Sequence, residues 1–172
     1  TKLDKATWGI EARAGEEVCV RYRVYANELT VRTSHLDGTH AFVSPASVFM
    51  FVRGLETQPI RVEVAPPEGW RVATSLASPE PMRFDAADYD ELVDSPLEIG
   101  EHRRVEWEQD GIPHAFAIWG RGGYDPERLV ADTRRIVDVA AGMFGGLPYE
   151  RYLFILHLFP GGRGGLEHKA SC

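Results

Sequence analysis

Short segments in which apolar and polar residues alternate recur through the first two-thirds of the chain. Every second residue from Val18 to Val24 is apolar or aromatic, and residues 60–64 show the same alternation. Because successive side chains of a β-strand point to opposite faces, this period predicts strands with one buried face. We predict one strand on each side of Pro45 and another after Gly69. Many short strands at this spacing indicate a mainly β fold with an N-terminal β-sandwich-like domain.

The segment RRVEWEQDGIPHAFAIWG predicts a β-hairpin. Asp110 and Gly111 stand between its two alternating runs, and Asp-Gly is a preferred pair for two-residue hairpin turns. Pro113 has no backbone N–H, so we expect the second strand to lie at an edge of its sheet. A short helix or turn is expected upstream, within DAADYDELVDSP.

The pattern changes at Gly120, where a helix, a strand, a glycine-rich loop and a further strand are predicted. Asp125 and Pro126 are typical of a helix start, and Gly145 is typical of a helix end. The strands are expected over residues 151–159 and 166–172. The helix has apolar residues at helical spacing, and we expect them to form its buried face: Leu129, Ile136, Ala140, Met143 and Phe144. We therefore predict an N-terminal β-domain over residues 1–119 and the truncated start of an α/β domain over residues 120–172.

The composition excludes several classes of partner. The chain has 172 residues, 44% of them hydrophobic, and a formal charge of −7 without any run of Lys or Arg. We therefore expect no nucleic-acid partner, and no membrane partner, because no apolar run approaches the ~18 residues of a membrane span. Cys19 and Cys172 are far apart and imply no disulfide framework. Such cysteine usage is typical of a reducing compartment such as the cytoplasm.

No common nucleotide, nucleophile or metal motif is present. The sequence around Lys169 departs from the P-loop pattern, because this lysine follows His168 rather than a glycine. A G-x-S-x-G elbow is absent. The six histidines include no pair four residues apart, and H-E-x-x-H is absent, so we expect no metal site in this chain. His157 lies in an apolar strand, where a core histidine with one hydrogen bond is expected.

Glu167 is the candidate binding residue that the spacing indicates. In a strand it shares its face with Gly165 and Lys169, and Gly165 leaves space beside the carboxylate. The glycines at positions 161, 162, 164 and 165 would let another backbone approach closely. Such an edge could bind a peptide while Glu167 pairs with an ammonium group. A solvated glutamate after a glycine turn is the alternative that the spacing leaves open.

The order of motifs in FGGLPYERYLFILHLFPGGRGGLEHKAS resembles the glycyl aminopeptidase family, which consists of zinc metallopeptidases of the thermolysin-like gluzincin group. In that family a helix ends at F-G-x-L-P-[FY], and a strand and a glycine-rich loop lead to G-G-L-E-H-x-x-S. The residues that carry these motifs here are Phe144, Gly145, Leu147, Pro148, Tyr149, Tyr152, Gly164, Gly165, Leu166, Glu167, His168 and Ser171. YDELVDSPLEIG and VRYRVYANELTVRTSHLD also resemble the family, so the resemblance covers nearly the whole chain.

The resemblance implies a β-domain followed by a thermolysin-like catalytic domain. By this resemblance Gly164, Gly165 and Leu166 would offer backbone to the substrate, and Glu167 would bind the free α-amino group of a peptide. Glycine or alanine would be the preferred N-terminal residue. Zinc would be the cofactor of the complete protein, held by an H-E-x-x-H helix beyond Cys172.

We therefore expect a fragment of a zinc aminopeptidase that is inactive alone and holds no metal itself. Its partner in the complete protein would be a peptide with a free N terminus, and the isolated chain would self-associate through its incomplete sheet. A non-enzymatic β-sandwich binding module and an unrelated hydrolase are the alternatives. Tight ligand binding that does not depend on Glu167 would indicate the first, and turnover insensitive to chelators would indicate the second.

Overall fold

The computed structural model describes all 172 residues and is mainly β. It contains eleven strands and two α-helices, in the order β1 (Asn27–Thr30), β2 (Thr33–Leu36), β3 (His40–Val43), β4 (Ile60–Glu63), β5 (Arg71–Ala73), β6 (Ala77–Glu80), β7 (Arg83–Ala86), α1 (Tyr89–Val93), β8 (Leu97–Gly100), β9 (Arg103–Gln109), β10 (Ile112–Gly120), α2 (Pro126–Phe144) and β11 (Tyr152–Leu158). No helix combines the length and the apolar composition that crossing a membrane would require.

The strands form three sheets. The first has five strands in the order β1-β2-β3-β8-β5, and the other two have three strands each, β4-β7-β6 and β11-β10-β9. The strand pairs are antiparallel except for β10 and β11, which run parallel and are connected through α2. A parallel pair needs such a crossover, because the chain must return to the same end of the sheet.

The five-stranded sheet lies between the other two sheets. On one face, Leu97 and Ile99 belong to a cluster that shares the packed neighbour Phe49 with the core of the β4-β7-β6 sheet. On the other face, Ala73 packs against Ala117 of the β11-β10-β9 sheet. All four residues of β8 are buried, since this strand is covered on both faces. The N-terminal sheets therefore form the sandwich-like layers that the alternation predicts.

The hairpin and both helices follow their local signals. Asp110 and Gly111 form the turn between β9 and β10, with φ angles of 52° and 75°. Positive φ at both positions matches the twist of a hairpin and explains the Asp-Gly pair. The side chain of Asp125 accepts the backbone N–H groups of Glu127 and Arg128 at the start of α2. Gly145 ends that helix in the left-handed conformation, with a φ of 79°.

Part of the predicted buried face of α2 is wrong. Leu129 does pack against the aromatic core of the β11-β10-β9 sheet, and Val137 is buried. Ile136, Met143 and Phe144 are exposed, although Ile136 and Phe144 follow Leu129 and Val137 by seven residues and so lie on the same faces of the helix. An apolar period identifies the face that can pack, but only tertiary structure decides how much of its length meets the sheet.

The strand predicted over residues 17–25 does not form. Val18, Val20 and Val24 are exposed, and the first strand begins only at Asn27. Alternation determines which side chains share a face, but a strand also needs hydrogen bonds from a neighbour. The hydroxyl of Tyr22 does donate to the carbonyl of Val48, which attaches the segment loosely to the rest of the fold.

Three further strand predictions change in detail. A 3₁₀ turn, Pro45–Ser47, replaces the second strand after Pro45. The strand expected over residues 166–172 is reduced to a single parallel bridge between Leu153 and Ser171. The strand β10 is central rather than at an edge. Pro113 is tolerated there because pairing with β11 starts only at His114.

The predicted boundary near residue 120 falls inside a packed unit. The strand β10 precedes this boundary, β11 follows it, and the two pair along seven positions from His114 to Gly120. The division into residues 1–119 and 120–172 stays a prediction.

Candidate functional site

A polar cluster lies where the five-stranded sheet faces the β11-β10-β9 sheet. Leu97 and Ile99 point to the opposite face, so Glu98 of β8 points toward β11. Glu98 is fully buried, and its Oε2 lies 2.8 Å from Nε2 of His157. A buried carboxylate is tolerated only when it is paired or hydrogen-bonded. This contact therefore stabilises the carboxylate and connects β8 to β11.

His40 of β3 completes the cluster. It is fully buried, and its ring stacks on Trp119 with the ring centroids 3.6 Å apart. Gly100 is the residue opposite His40 in the β3–β8 register, and a Cβ added there would lie 2.8 Å from Cβ of His40. The glycine therefore makes room for the Cβ and the backbone of His40. Nε2 of His40 and Oε1 of Glu98 have no hydrogen-bond partner among the protein atoms.

The histidine stands between two carboxylates. One potential ligand atom from each of His40, Glu98 and His157 lies within 4.8 Å of the other two. On its other side, Nδ1 of His40 lies 3.7 Å from Oδ1 of Asp37. Asp37 also lies 3.2 Å from Nε2 of His35, so a second group of possible metal ligands shares His40 with the first.

Burial determines the electrostatics of this cluster. It lowers the pKa of His40 to about 4, and the neighbouring His157 adds to this effect while Asp37 opposes it. Burial raises the pKa of Glu98, and the hydrogen bond with His157 opposes that rise. Hydrogen bonds from Thr39 hold the pKa of Asp37 well below its usual range. At neutral pH the His40 side chain is therefore an uncharged imidazole with a lone pair.

The four residues predicted to bind substrate lie on the irregular segment that follows β11. Glu167 is exposed and Leu166 is half-buried. Gly164 has a φ of 134°, and a Cβ there would lie 3.3 Å from Cγ1 of Val31. Gly165 has open space around it. The structure brings these residues together on one surface segment, without the regular strand pairing that the sequence suggested.

Asp94, directly after α1, attaches this segment to the rest of the molecule. Its Oδ2 accepts the backbone N–H of Lys169 at 2.8 Å, and its Oδ1 lies 2.9 Å from Nδ1 of His168. The two contacts join residues 74 and 75 positions apart. They hold the chain immediately after Glu167, whose own side chain remains exposed.

The last residues of the chain extend the sheet along the outer edge of β11. The N–H of Leu153 donates to the carbonyl of Ala170 at 3.0 Å, and the N–H of Cys172 donates to the carbonyl of Leu153 at 3.0 Å. The hydroxyl of Tyr152 donates to the carbonyl of Ser171, and burial raises the pKa of this tyrosine. The segment that carries Glu167 is thus fixed at its C-terminal end.

Sequence reasoning missed the roles of His40, Asp94 and Glu98. His157 makes one side-chain hydrogen bond, as expected, but the residue is half-buried and its partner lies 59 positions away. Contacts at such separations leave no spacing signal. One signal was present, because Glu98 interrupts the apolar segment PLEIG. A charged residue in a buried strand requires a partner.

Solved structures provide a close comparison for this arrangement of sheets. A crystal structure described as an aminopeptidase N family protein from Idiomarina loihiensis is 34% identical and superposes with a TM-score of 0.80. The match covers 86% of this chain and 27% of that one, so the chain spans about a quarter of the length of its relative. No protein with a curated description matches. The chain is therefore a peptidase-associated, β-rich N-terminal domain.

The family follows from a direct match. Residues 1–101, which are more than half of the chain, match the family model described as the peptidase M61 N-terminal domain. The chain belongs to the peptidase M61 family.

Proposed function

We propose that this chain forms, within a longer zinc aminopeptidase of the glycyl aminopeptidase type, the N-terminal domain and the wall that binds the α-amino group of the substrate. The observation that carries the proposal is the exposed carboxylate of Glu167 on a segment that Asp94 attaches to the fold. Membership of the M61 family and the aminopeptidase-family neighbour support the general class. The resemblance of the G-G-L-E-H segment supports the particular role.

Glu167 would accept hydrogen bonds from the N-terminal ammonium group of a peptide. In open water such an ion pair contributes only ~0–1 kcal/mol, so this contact needs a cleft that excludes water. The remaining part of the longer protein would supply the facing wall. Burying the ammonium beside a single anion would then select a chain end, because an internal peptide bond carries no positive charge.

The backbone beside Glu167 would bind the peptide backbone. Gly164, Gly165 and Leu166 precede the carboxylate, and Gly165 has no side chain and no close neighbour to block an approaching strand. Addition of an extended peptide to such an edge uses main-chain hydrogen bonds and leaves the side chains to determine selectivity. A preference for glycine or alanine at the N terminus is part of this proposal and rests on the family resemblance.

This chain lacks the motif of the catalytic zinc centre that the resemblance implies. H-E-x-x-H is absent from the sequence, so residues outside this chain would hold that ion. In such enzymes zinc polarises the scissile carbonyl and activates water. The part of this chain would be to bind and orient the substrate, and we expect no peptidase activity from the chain alone.

Self-association of the isolated chain through its incomplete sheet also stays a prediction, and α2 offers a second surface for it. Ile136, Val139, Met143 and Phe144 of α2 are all more than 60% exposed. Exposed apolar groups of this kind favour association in water. Light scattering at increasing concentration would test this, and a strictly monomeric chain would contradict it.

The proposed role of Glu167 is tested by Glu167→Gln in the full-length gene product. Removing the charge should lower kcat/KM by roughly 10–100-fold on alanine p-nitroanilide, the loss typical of a hydrogen bond to a charged group. The matched control is Glu150→Gln, which changes another exposed glutamate. Equal zinc contents of all three proteins would show that the metal centre is intact. An unchanged kcat/KM would exclude Glu167 from binding the amine.

A further inference from the structure

The cluster of His40, Glu98 and His157 contains polar atoms that the hydrogen bonds within the protein do not satisfy. Two of its polar atoms, Nε2 of His40 and Oε1 of Glu98, are buried and have no partner in the protein. An unpaired buried donor or acceptor destabilises a fold, so two of them in one place indicate a ligand. We propose that these three side chains form a binding site for a divalent transition-metal ion, with Zn²⁺ as the best match. The proposal departs from the expectation, drawn from sequence spacing, that this chain holds no metal.

The ligand set selects the class of ion. Two imidazoles and one carboxylate are a set that zinc sites with three protein ligands use. Mg²⁺ and Ca²⁺ prefer oxygen ligands, so two imidazole nitrogens disfavour them.

The distances are compatible with an ion after small side-chain rotations. Ligand atoms around tetrahedral zinc, with bonds of about 2.0–2.2 Å, are separated by roughly 3.3–3.5 Å. The contact between Glu98 and His157 is 2.8 Å and would have to open by about half an ångström. The other separations are at most 4.8 Å, so none would have to shorten by more than about 1.5 Å. The proton between Glu98 and His157 would leave to solvent when the ion binds.

The surrounding structure holds the ligands in place. The three residues come from β3, β8 and β11, which are central or paired strands rather than loops. Trp119 stacks on the ring of His40, and Gly100 makes room for the Cβ and the backbone of this histidine. Oγ1 of Thr39 lies 3.4 Å and Oδ1 of Asp37 lies 3.7 Å from Nδ1 of His40, so this side of the ring faces acceptors that favour a proton on Nδ1 and a free lone pair on Nε2.

Calorimetric titration of Zn²⁺ into the chelator-treated 172-residue chain tests the proposal. We expect one equivalent to bind to the wild type, and we expect no detectable binding to His40→Asn, Glu98→Gln or His157→Asn. Asp37→Asn should weaken binding by about 10–100-fold, as loss of a carboxylate behind a ligand does. The control His168→Asn removes an imidazole outside the cluster and should leave binding unchanged.

Two further measurements test whether a variant loses binding by misfolding and whether the ion binds to the neighbouring group instead. Imidazole NMR of the wild type should show Zn²⁺-dependent shifts at His40 and His157, with His114 and His168 unaffected, and this needs no substitution. His35→Asn addresses the group formed by His35, Asp37 and His40. Loss of binding on His35→Asn, together with retained binding on His157→Asn, would place the ion there and overturn the proposal. Absence of Zn²⁺ binding to the folded wild type would overturn it as well.

Discussion

Two carboxylate–imidazole pairs join the first hundred residues to the end of the chain, and they lie in opposite surroundings. Glu98 and His157 are 2.8 Å apart, and the carboxylate is fully buried between two sheets. Asp94 and His168 are 2.9 Å apart, and the Asp94 side chain is 40% exposed at the surface. The chemistry and the distances are nearly the same, so the difference in burial is what separates them.

Burial changes what each pair contributes. If Glu98 loses its partner, a polar group remains inside the protein without solvation, and the folded state is strongly destabilised. If Asp94 loses its partner, water replaces it at little cost. We therefore infer that the buried pair governs global stability, whereas the exposed pair governs the position of the segment that carries Glu167.

The largest effect is expected for Glu98→Ala. It leaves His157 without its hydrogen bond inside the sheet interface, and loss of one partner of a buried pair typically destabilises by about 3–5 kcal/mol. Urea unfolding with EDTA present measures the change without any contribution from metal. Glu108→Ala, at an exposed position on β9, is the matched control and should have almost no effect. A loss below about 1 kcal/mol for Glu98→Ala would mean that burial does not distinguish the pairs.

A smaller effect is expected in the pH dependence of stability. The raised pKa of Glu98 means that the folded state binds its proton more tightly than the unfolded state does. The resulting stabilisation is complete below the ordinary pKa of 4.5 and is lost as pH rises through the folded value. The free energy of unfolding of the wild type should therefore fall relative to Glu98→Gln as pH rises above 4.5. Parallel curves for the two proteins, measured by urea unfolding in EDTA, would argue against this linkage.

The smallest effect on stability is expected for Asp94→Ala. We expect a loss of ~0.5–1 kcal/mol, reduced further in 1 M salt because exposed charges are then screened. The local effect should be clearer, since the amide of Lys169 loses its acceptor and should exchange with deuterium roughly 2–10-fold faster. Asp90→Ala, in the helix that Asp94 follows, is the control. Exchange at Lys169 that is unchanged would show that Asp94 does not hold this segment.

The sequence predicted the elements whose signals are local. Asp110-Gly111 predicts the hairpin, and Asp125 and Gly145 predict the ends of α2, because turns and caps depend on neighbouring residues. Residues 17–25 carry an equally clear alternation and form no strand, because pairing depends on a distant partner. The exposed side of α2 shows the same limit, since Ile136 has helical periodicity without a surface to pack on.

The two candidate sites also differ in whether their sequence signal is local. Glu167 was identified because its neighbours in sequence form a motif. His40, Glu98 and His157 meet only when β3 pairs with β8 in one sheet and β11 of another sheet packs on the face of that pair. An apolar run interrupted by one glutamate and another interrupted by one histidine indicate that each needs a partner, but they do not say that the two are partners.

The parallel pairing of β10 with β11 has a consequence for synthesis on the ribosome. Glu98 precedes His157 by 59 residues, and elongation at about 5–20 residues per second separates their synthesis by roughly 3–12 seconds. During this interval β8 has its antiparallel neighbours, but the face that carries Glu98 and His40 is open to water. A five-stranded sheet that forms in this interval would expose Glu98 and His40 together with Phe42 and Ala73 on that face. Exposed apolar groups offer a nascent chain a site for aggregation, and the glutamate and the histidine would favour hydration of this face until β11 arrives.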